Sequence, residues 1–135
     1  MHGFGTDISP EMIKNATSRY PNLKFEVSDC IAIPFDGSSM DIITACAAYH
    51  HFPNVNAFAV EAKRLLKRSG SIYIAEVYLP LGVRQVANIF LPLSKDGDVK
   101  FYSSKEIVNT FSDNGFRLIA AKAKGHIQII HMQKL

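Results

Sequence analysis

The stretch Asp41-Ile42-Ile43-Thr44-Ala45-Cys46-Ala47 is apolar almost throughout, and the turn formers Asp36, Gly37 and Ser38 precede it. A short unbroken apolar run bounded by turn signals reads as a strand buried on both faces, the habit of a parallel sheet. Toward the C-terminus, Asn54 can cap a helix in which Val55, Phe58, Ala62, Leu65 and Leu66 fall at helical spacing, with Gly70 as its stop. Ile72 to Val77 supplies the next strand. Strand, helix, strand is a βαβ unit, whose crossover is right-handed in nearly all proteins, so the fold class is α/β.

The flanks extend this rhythm. Ser9 followed by Pro10 is a helix start, with Met12, Ile13 and Ala16 as an apolar stripe and an end near Tyr20. Lys24 to Ser28 alternates, with Phe25 and Val27 on one face, and runs into Asp29. Residues 78–102 are interrupted by Pro80, Pro92 and Gly97, although Val83, Val86, Ala87, Phe90 and Leu91 could line one helical face; the segment reads as a lid or insertion. Ser103 and Glu106 have capping-box spacing ahead of a helix that buries Ile107, Val108 and Phe111 and stops at Gly115. Phe116 to Lys124 and Ile127 to Gln133 read as an antiparallel pair around Gly125 and His126.

Composition bounds the function. With 135 residues, 47% hydrophobic and 20% charged, residues 1–135 are expected to form one soluble globular domain. The net charge of +3 is spread along the chain, which argues against nucleic acid as a partner. The densest basic run, Lys63, Arg64, Lys67 and Arg68, suits the last turns of a helix, where cations complement the macrodipole. Cys30 and Cys46 lack metal or redox spacing and read as reduced thiols. No apolar run reaches the ~18 residues of a membrane span. The expected location is the cytoplasm, with no membrane partner.

Three positions follow strands: Asp7, Asp29, and Cys46 to Ala48. In open α/β sheets ligands bind outside the carboxyl ends of the strands, so these positions share a rim, and carboxylates there suit a ribose diol and an exocyclic amine. An adenosine-like ligand is one reading; turn and helix caps are the other. His50 and His51 could serve as a general base, or pack and bond to backbone. His126 and His131 have no metal-ligand spacing, so no metal is expected. Tyr49, Tyr78 and Tyr102 could line an acceptor pocket or belong to the core.

Five segments in series carry a family resemblance: Gly5-Thr6-Asp7-Ile8-Ser9-Pro10-Glu11-Met12-Ile13, Phe25 to Asp29 running on through Cys30-Ile31-Ala32-Ile33-Pro34-Phe35, Ser39-Met40-Asp41-Ile42-Ile43, His50-His51-Phe52, and Ala62 to Gly70. Together, from Gly3 to about Glu76, they resemble the class I S-adenosylmethionine-dependent methyltransferases, type 11-like, in the small-molecule group that includes quinone-biosynthesis enzymes. The resemblance implies a Rossmann-like sheet and S-adenosylmethionine as cofactor. It implies that Asp7 holds the ribose hydroxyls and Ile8 lies against the adenine. Asp29 would bind the adenine amino group, Cys30 and Ile31 would add backbone or apolar contact, and Cys46 and Ala47 would face the methionine part. Methyl transfer in such a site is a displacement governed by proximity and orientation, with a base only where the acceptor loses a proton. A nicotinamide-dependent Rossmann protein fits less well, given the Asp29-x-x-x-x-Pro34-Phe35 run.

The resemblance also implies a first strand and glycine-rich turn ahead of Asp7, a span of about thirty residues with its helix, so an N-terminally truncated domain is expected. In the family order that strand is central; its absence exposes backbone edges, which predicts re-pairing through a homo-oligomer, a strand-exchanged dimer or a shift of the remaining strands. Two functions follow as expectations: methyl transfer to a small-molecule acceptor, or a non-catalytic remnant or association module without cofactor binding.

Overall fold

The computed structural model describes residues 2–93 and 97–135. Along the chain run β1 (Phe4–Asp7), α1 (Pro10–Arg19), β2 (Lys24–Val27), β3 (Met40–Cys46), α2 (Val55–Leu65), β4 (Leu66–Val77), α3 (Leu81–Phe90), α4 (Ser104–Asp113), β5 (Phe116–Lys124) and β6 (Ile127–Lys134). Short 3₁₀ turns cover Tyr49–His51 and Leu91–Leu93. The strands form two sheets: β1 and β2 pair in parallel, and a separate sheet runs β3-β4-β6-β5, parallel at β3–β4 and antiparallel beyond.

The helix starts follow their cap chemistry. Ser9 Oγ accepts from the Met12 amide with Pro10 in the first turn, Asn54 Oδ1 accepts from the Ala57 amide, and Ser103 with Glu106 closes a full capping box. Gly115, at φ +84°, ends α4, and Gly125, at φ +61°, turns the β5–β6 hairpin. The core is one cluster: α2 supplies Phe58, Ala59 and Ala62, α4 supplies Ile107 and Phe111, and the sheet supplies Ala45, Leu66, Ile72, Ile74, Ile130 and Met132.

Three readings of the sequence are corrected. β3 is not buried on both faces: only Ala45 is buried and Ile42 is 59% exposed. The physical reason is that α2 and α4 cover one side of the sheet. The other side, with Ile42, Thr44 and Cys46 beside Tyr73, Ala75, Ile127 and Ile129, stays open. Gly70 does not stop α2. The helix ends at Leu65, and residues 67–70 bulge from β4 opposite Asp41, because Leu66 pairs with Met40 while Ser71 pairs with Ile42. Gly70 is there because a Cβ would stand 3.0 Å from the Lys67 carbonyl and 3.2 Å from that of Asp41. Lys67 and Arg68 therefore lie on the bulge rather than on a helix, and Lys67 Nζ meets Asp41 Oδ1 at 2.8 Å. The apolar stripe of α1 buries no residue.

The expected break in the sheet is present. β1 stands between β2 and the gap, so the groove runs between β1 and β3. Its volume is about 280 Å³, and it is lined by Phe4, Gly5 and Thr6 on one side and Met40, Ile42, Ile43 and Thr44 on the other. The remaining strands have not shifted to close it.

Within residues 78–102, α3 is a helix whose Val83, Val86, Ile89 and Phe90 are exposed; positions 94–96 of that expected lid lie outside the described residues. Among the described residues no helix is long and apolar enough to cross a membrane.

Candidate functional site

The carboxyl ends of β1 and β2 bring two of the candidate residues together. Asp7 pairs with Val27, and the Ser28 amide donates to the Asp7 carbonyl at 3.0 Å, so Asp29 begins one residue beyond that junction. Asp7 Oδ1 accepts from the Ser9 amide at 2.8 Å and Asp29 Oδ1 from the Ile31 amide at 3.2 Å. Both carboxylates thus act as turn caps through one oxygen. No further hydrogen bond reaches the Asp7 carboxylate among the described residues, while the Asp29 carboxylate also interacts with the adjacent Cys30 thiol. Ile8 is 72% exposed and Ile31 is exposed beside them, an apolar surface next to two carboxylates. Cys30 is half-buried against the core; burial, with Asp29 adjacent, pushes its thiol up to about 12, so it is a packing group and not a nucleophile.

The loop after β2 is held from below. Glu61, buried on α2, accepts the Ile33 amide at 2.8 Å, and Arg64 donates to the carbonyls of Ile33 and Phe35 at 2.9 and 2.8 Å while pairing with Glu61 at 2.7 Å. The Arg64 guanidinium on both carboxylate oxygens, with the Ile33 amide on Oε1, holds the Glu61 carboxyl below its ordinary range against the opposing effect of burial. Phe35 also meets Phe4 of β1, with ring centroids 5.0 Å apart. The clamp therefore spans both sheets and fixes where Asp29 sits.

At the carboxyl ends of β3 and β4, Cys46 and Ala47 are exposed, and Ala47 takes φ +48°, a left-handed conformation costly for a residue with a side chain. The Ala47 amide donates to the Ala75 carbonyl at 2.8 Å, which anchors this kink to β4. Glu76, buried at the end of β4, accepts the amides of Ala48 and Tyr49 at 2.8 and 2.9 Å through Oε1 and meets His50 Nδ1 at 2.5 Å through Oε2. His50 is buried with its ring against His51, centroids 4.0 Å apart. Tyr49 is wholly buried in the core with its phenol raised by that burial, and Tyr102 packs against the same cluster, which places both with the core. Tyr78 is half-buried, its amide on the His126 carbonyl.

Asp7, Ile8, Asp29, Cys30 and Ile31 therefore cluster at one sheet end and Cys46 and Ala47 at the other, across the groove. No hydrogen bond or ion pair joins the two ends among the described residues. Glu76, Glu61 and Asp98 escape sequence reasoning. Glu76 stands within β4 in phase with Ile72 and Ile74, and that alternation was the available signal for its burial; Glu61 has a local signal in Arg64 three residues on, and Asp98 has none, since its partners lie far along the chain.

Comparison with known proteins now bears on this geometry. A family described as "Methyltransferase domain" matches residues 1–74. A demethylmenaquinone methyltransferase of Chlorobaculum tepidum is 34% identical over 76 residues, covering 56% of this chain and 31% of that protein. An uncharacterized methyltransferase, YcgJ of Bacillus subtilis, is 33% identical over 81 residues, 56% of this chain and 32% of its own length. The chain thus spans about a third of the curated relatives it matches. In structure, YcgJ superposes with a TM-score of 0.82 at 20% identity, over 98% of this chain and 82% of that one. A putative methyltransferase in complex with the Haloferax volcanii Trm112 activator gives 0.84 at 21%, over 98% and 71%. With more than half of its residues matched by the family and nearly all of its backbone superposing on methyltransferase structures, the chain belongs to the class I S-adenosylmethionine-dependent methyltransferases, on their Rossmann-like α/β fold.

Proposed function

We propose that this chain carries the adenosine-binding part of an S-adenosylmethionine site serving methyl transfer to a small-molecule acceptor. The observation that supports it is the pair Asp7 and Asp29 at the carboxyl ends of adjacent parallel strands, Asp7 closing β1 and Asp29 two residues past β2, each with one carboxylate oxygen held by a turn amide. Asp7 would hold the ribose hydroxyls, Asp29 the adenine amino group, and the exposed Ile8 and Ile31 the faces of the base, with Cys30 beneath. Cys46 and Ala47 would flank the methionine part, the kink at Ala47 presenting backbone there. The bound cofactor would supply an electrophilic methyl group; the chain would orient it and exclude water. α3, with its outward apolar residues, would close over the acceptor as a lid.

Calorimetric titration with S-adenosylmethionine tests this reading. Binding in the micromolar range, abolished by Asp29→Ala, is the expected outcome. Absence of heat at millimolar ligand overturns it. The open groove favours the second reading, an association module of methyltransferase fold without cofactor binding. On either reading the unpaired edges of β1 and β3 are covered in solution by a second copy of the chain, as a homo-oligomer or strand-exchanged dimer. A cytoplasmic location belongs to the same proposal.

A further inference from the structure

The segment after α3 returns to the carboxyl end of β3 and places Asp98 against both histidines. Asp98 Oδ1 lies 3.4 Å from His50 Nε2 and 3.2 Å from His51 Nδ1, and one ligand-capable atom from each of the three residues falls within 4.8 Å of the others. The His50 carbonyl accepts the amides of Val99 at 2.8 Å and Lys100 at 3.2 Å, so backbone bonds fix the Asp98 segment on the histidine turn.

Glu76 decides what His50 can offer. Its Oε1 already takes two backbone amides and its Oε2 faces His50 Nδ1, so Nδ1 is the donor and Nε2 carries the lone pair. A lone pair on Nε2 then confronts a carboxylate oxygen, acceptor against acceptor, at a separation longer than the roughly 2.7–2.9 Å of a charge-assisted hydrogen bond. A cation between them resolves the confrontation. With metal–nitrogen and metal–oxygen bonds of about 2.0–2.2 Å, the edge of a tetrahedral Zn²⁺ site is about 3.3–3.5 Å. The His50 Nε2–Asp98 separation of 3.4 Å falls at that edge length and the His51 Nδ1–Asp98 separation of 3.2 Å just below it; His51 Nδ1 also stands 3.2 Å from the Gly97 carbonyl oxygen. The arrangement also has the carboxylate–histidine pairing that orients metal-bound imidazoles, with Glu76 buried behind His50.

From this geometry we infer that His50 Nε2, His51 and Asp98 form a binding site for one divalent transition-metal ion of the Zn²⁺ class. Three protein ligands leave at least one coordination position open to water or an oxygen ligand. The inference concerns the ion alone and stands whether or not the chain transfers methyl groups.

Titration of the full chain with ZnCl₂, and with CoCl₂ for the visible ligand-field bands of a low-coordinate ion, tests it. One equivalent should bind with micromolar affinity or better and raise Tm. His51→Ala, at an exposed position, and Asp98→Asn, isosteric at a half-buried one, should each weaken binding at least tenfold while leaving the metal-free Tm in place. Cys46→Ser and His126→Ala should leave binding intact. No binding at millimolar Zn²⁺ would mean that a proton occupies the gap and would overturn the site; so would binding that survives both His51→Ala and Asp98→Asn, which places the ion elsewhere.

Discussion

Glu76 shows how much one side chain can organise. It is 5% exposed, and three donors from consecutive residues, the Ala48 and Tyr49 amides and His50 Nδ1, converge on it. Those donors belong to the turn that follows the kinked Ala47, so Glu76 stabilises a bend the backbone disfavours. Glu76→Ala would strand buried donors, and a loss of about 3 kcal/mol is expected, read from urea denaturation against His51→Ala, whose exposed ring should leave stability nearly unchanged. The sequence could not announce this role. Alternation puts Glu76 in phase with Ile72 and Ile74 on the covered face, but the Ala48, Tyr49 and His50 donors it gathers come from a turn 26 to 28 residues earlier, which no local pattern announces. The carboxylates of Asp7 and Asp29 were legible because their positions after strands are a local property. Their turn amides were legible too, through the short side chains that caps require.

Among the elements, those defined by neighbours in sequence are the ones the sequence reads correctly. α4 begins at Ser103 and Glu106 because the two residues satisfy each other's donors, and the β5–β6 hairpin turns where Gly125 allows it. The first half of β4 is different. Leu66 to Gly70 continues the helical pattern of α2, but Leu66 gains complete burial and a partner in Met40 by becoming extended, and tertiary pairing wins. The capping box yields a pH prediction. Burial is the largest single influence and raises the Glu106 carboxyl, but Lys100 Nζ at 2.7 Å and the Ser103 amide and hydroxyl at 2.8 Å together outweigh it, bringing the group down to about 2. A carboxyl lowered in the folded state adds stability above its unfolded value and loses it as pH falls through the folded one. Stability should therefore decline from the ordinary carboxylate range down toward pH 2, and Glu106→Gln should flatten that part of the profile. Thermal melts across acidic pH on both proteins check it; superimposable slopes would remove Glu106 as a cause.

At the scale of the molecule, the α/β class and the antiparallel ending were readable from periodicity, because each strand and helix announces its own period. The one-sided cover of the larger sheet was not, since an apolar run such as Asp41–Ala47 carries no mark of which helices will reach it. The split into two sheets leaves β1 and β3 each with a partner on one side only, β2 and β4 respectively, and a groove between them. Backbone donors and acceptors along those edges are half-satisfied, and Phe4, Ile42 and Ile43 line the same groove, so it offers both hydrogen bonds and apolar area to an added strand. On the proposed reading a second copy covers this edge, bringing strands of the same kind. Light scattering behind gel filtration should then return twice the monomer mass. Thr44→Lys, a charge on the β3 edge of the kind that blocks edge pairing, should shift the equilibrium toward monomer and lower Tm at a given protein concentration. A wild-type chain that runs as a cooperatively folding monomer at every concentration would show that the open edge needs no partner, and the dimer would be abandoned.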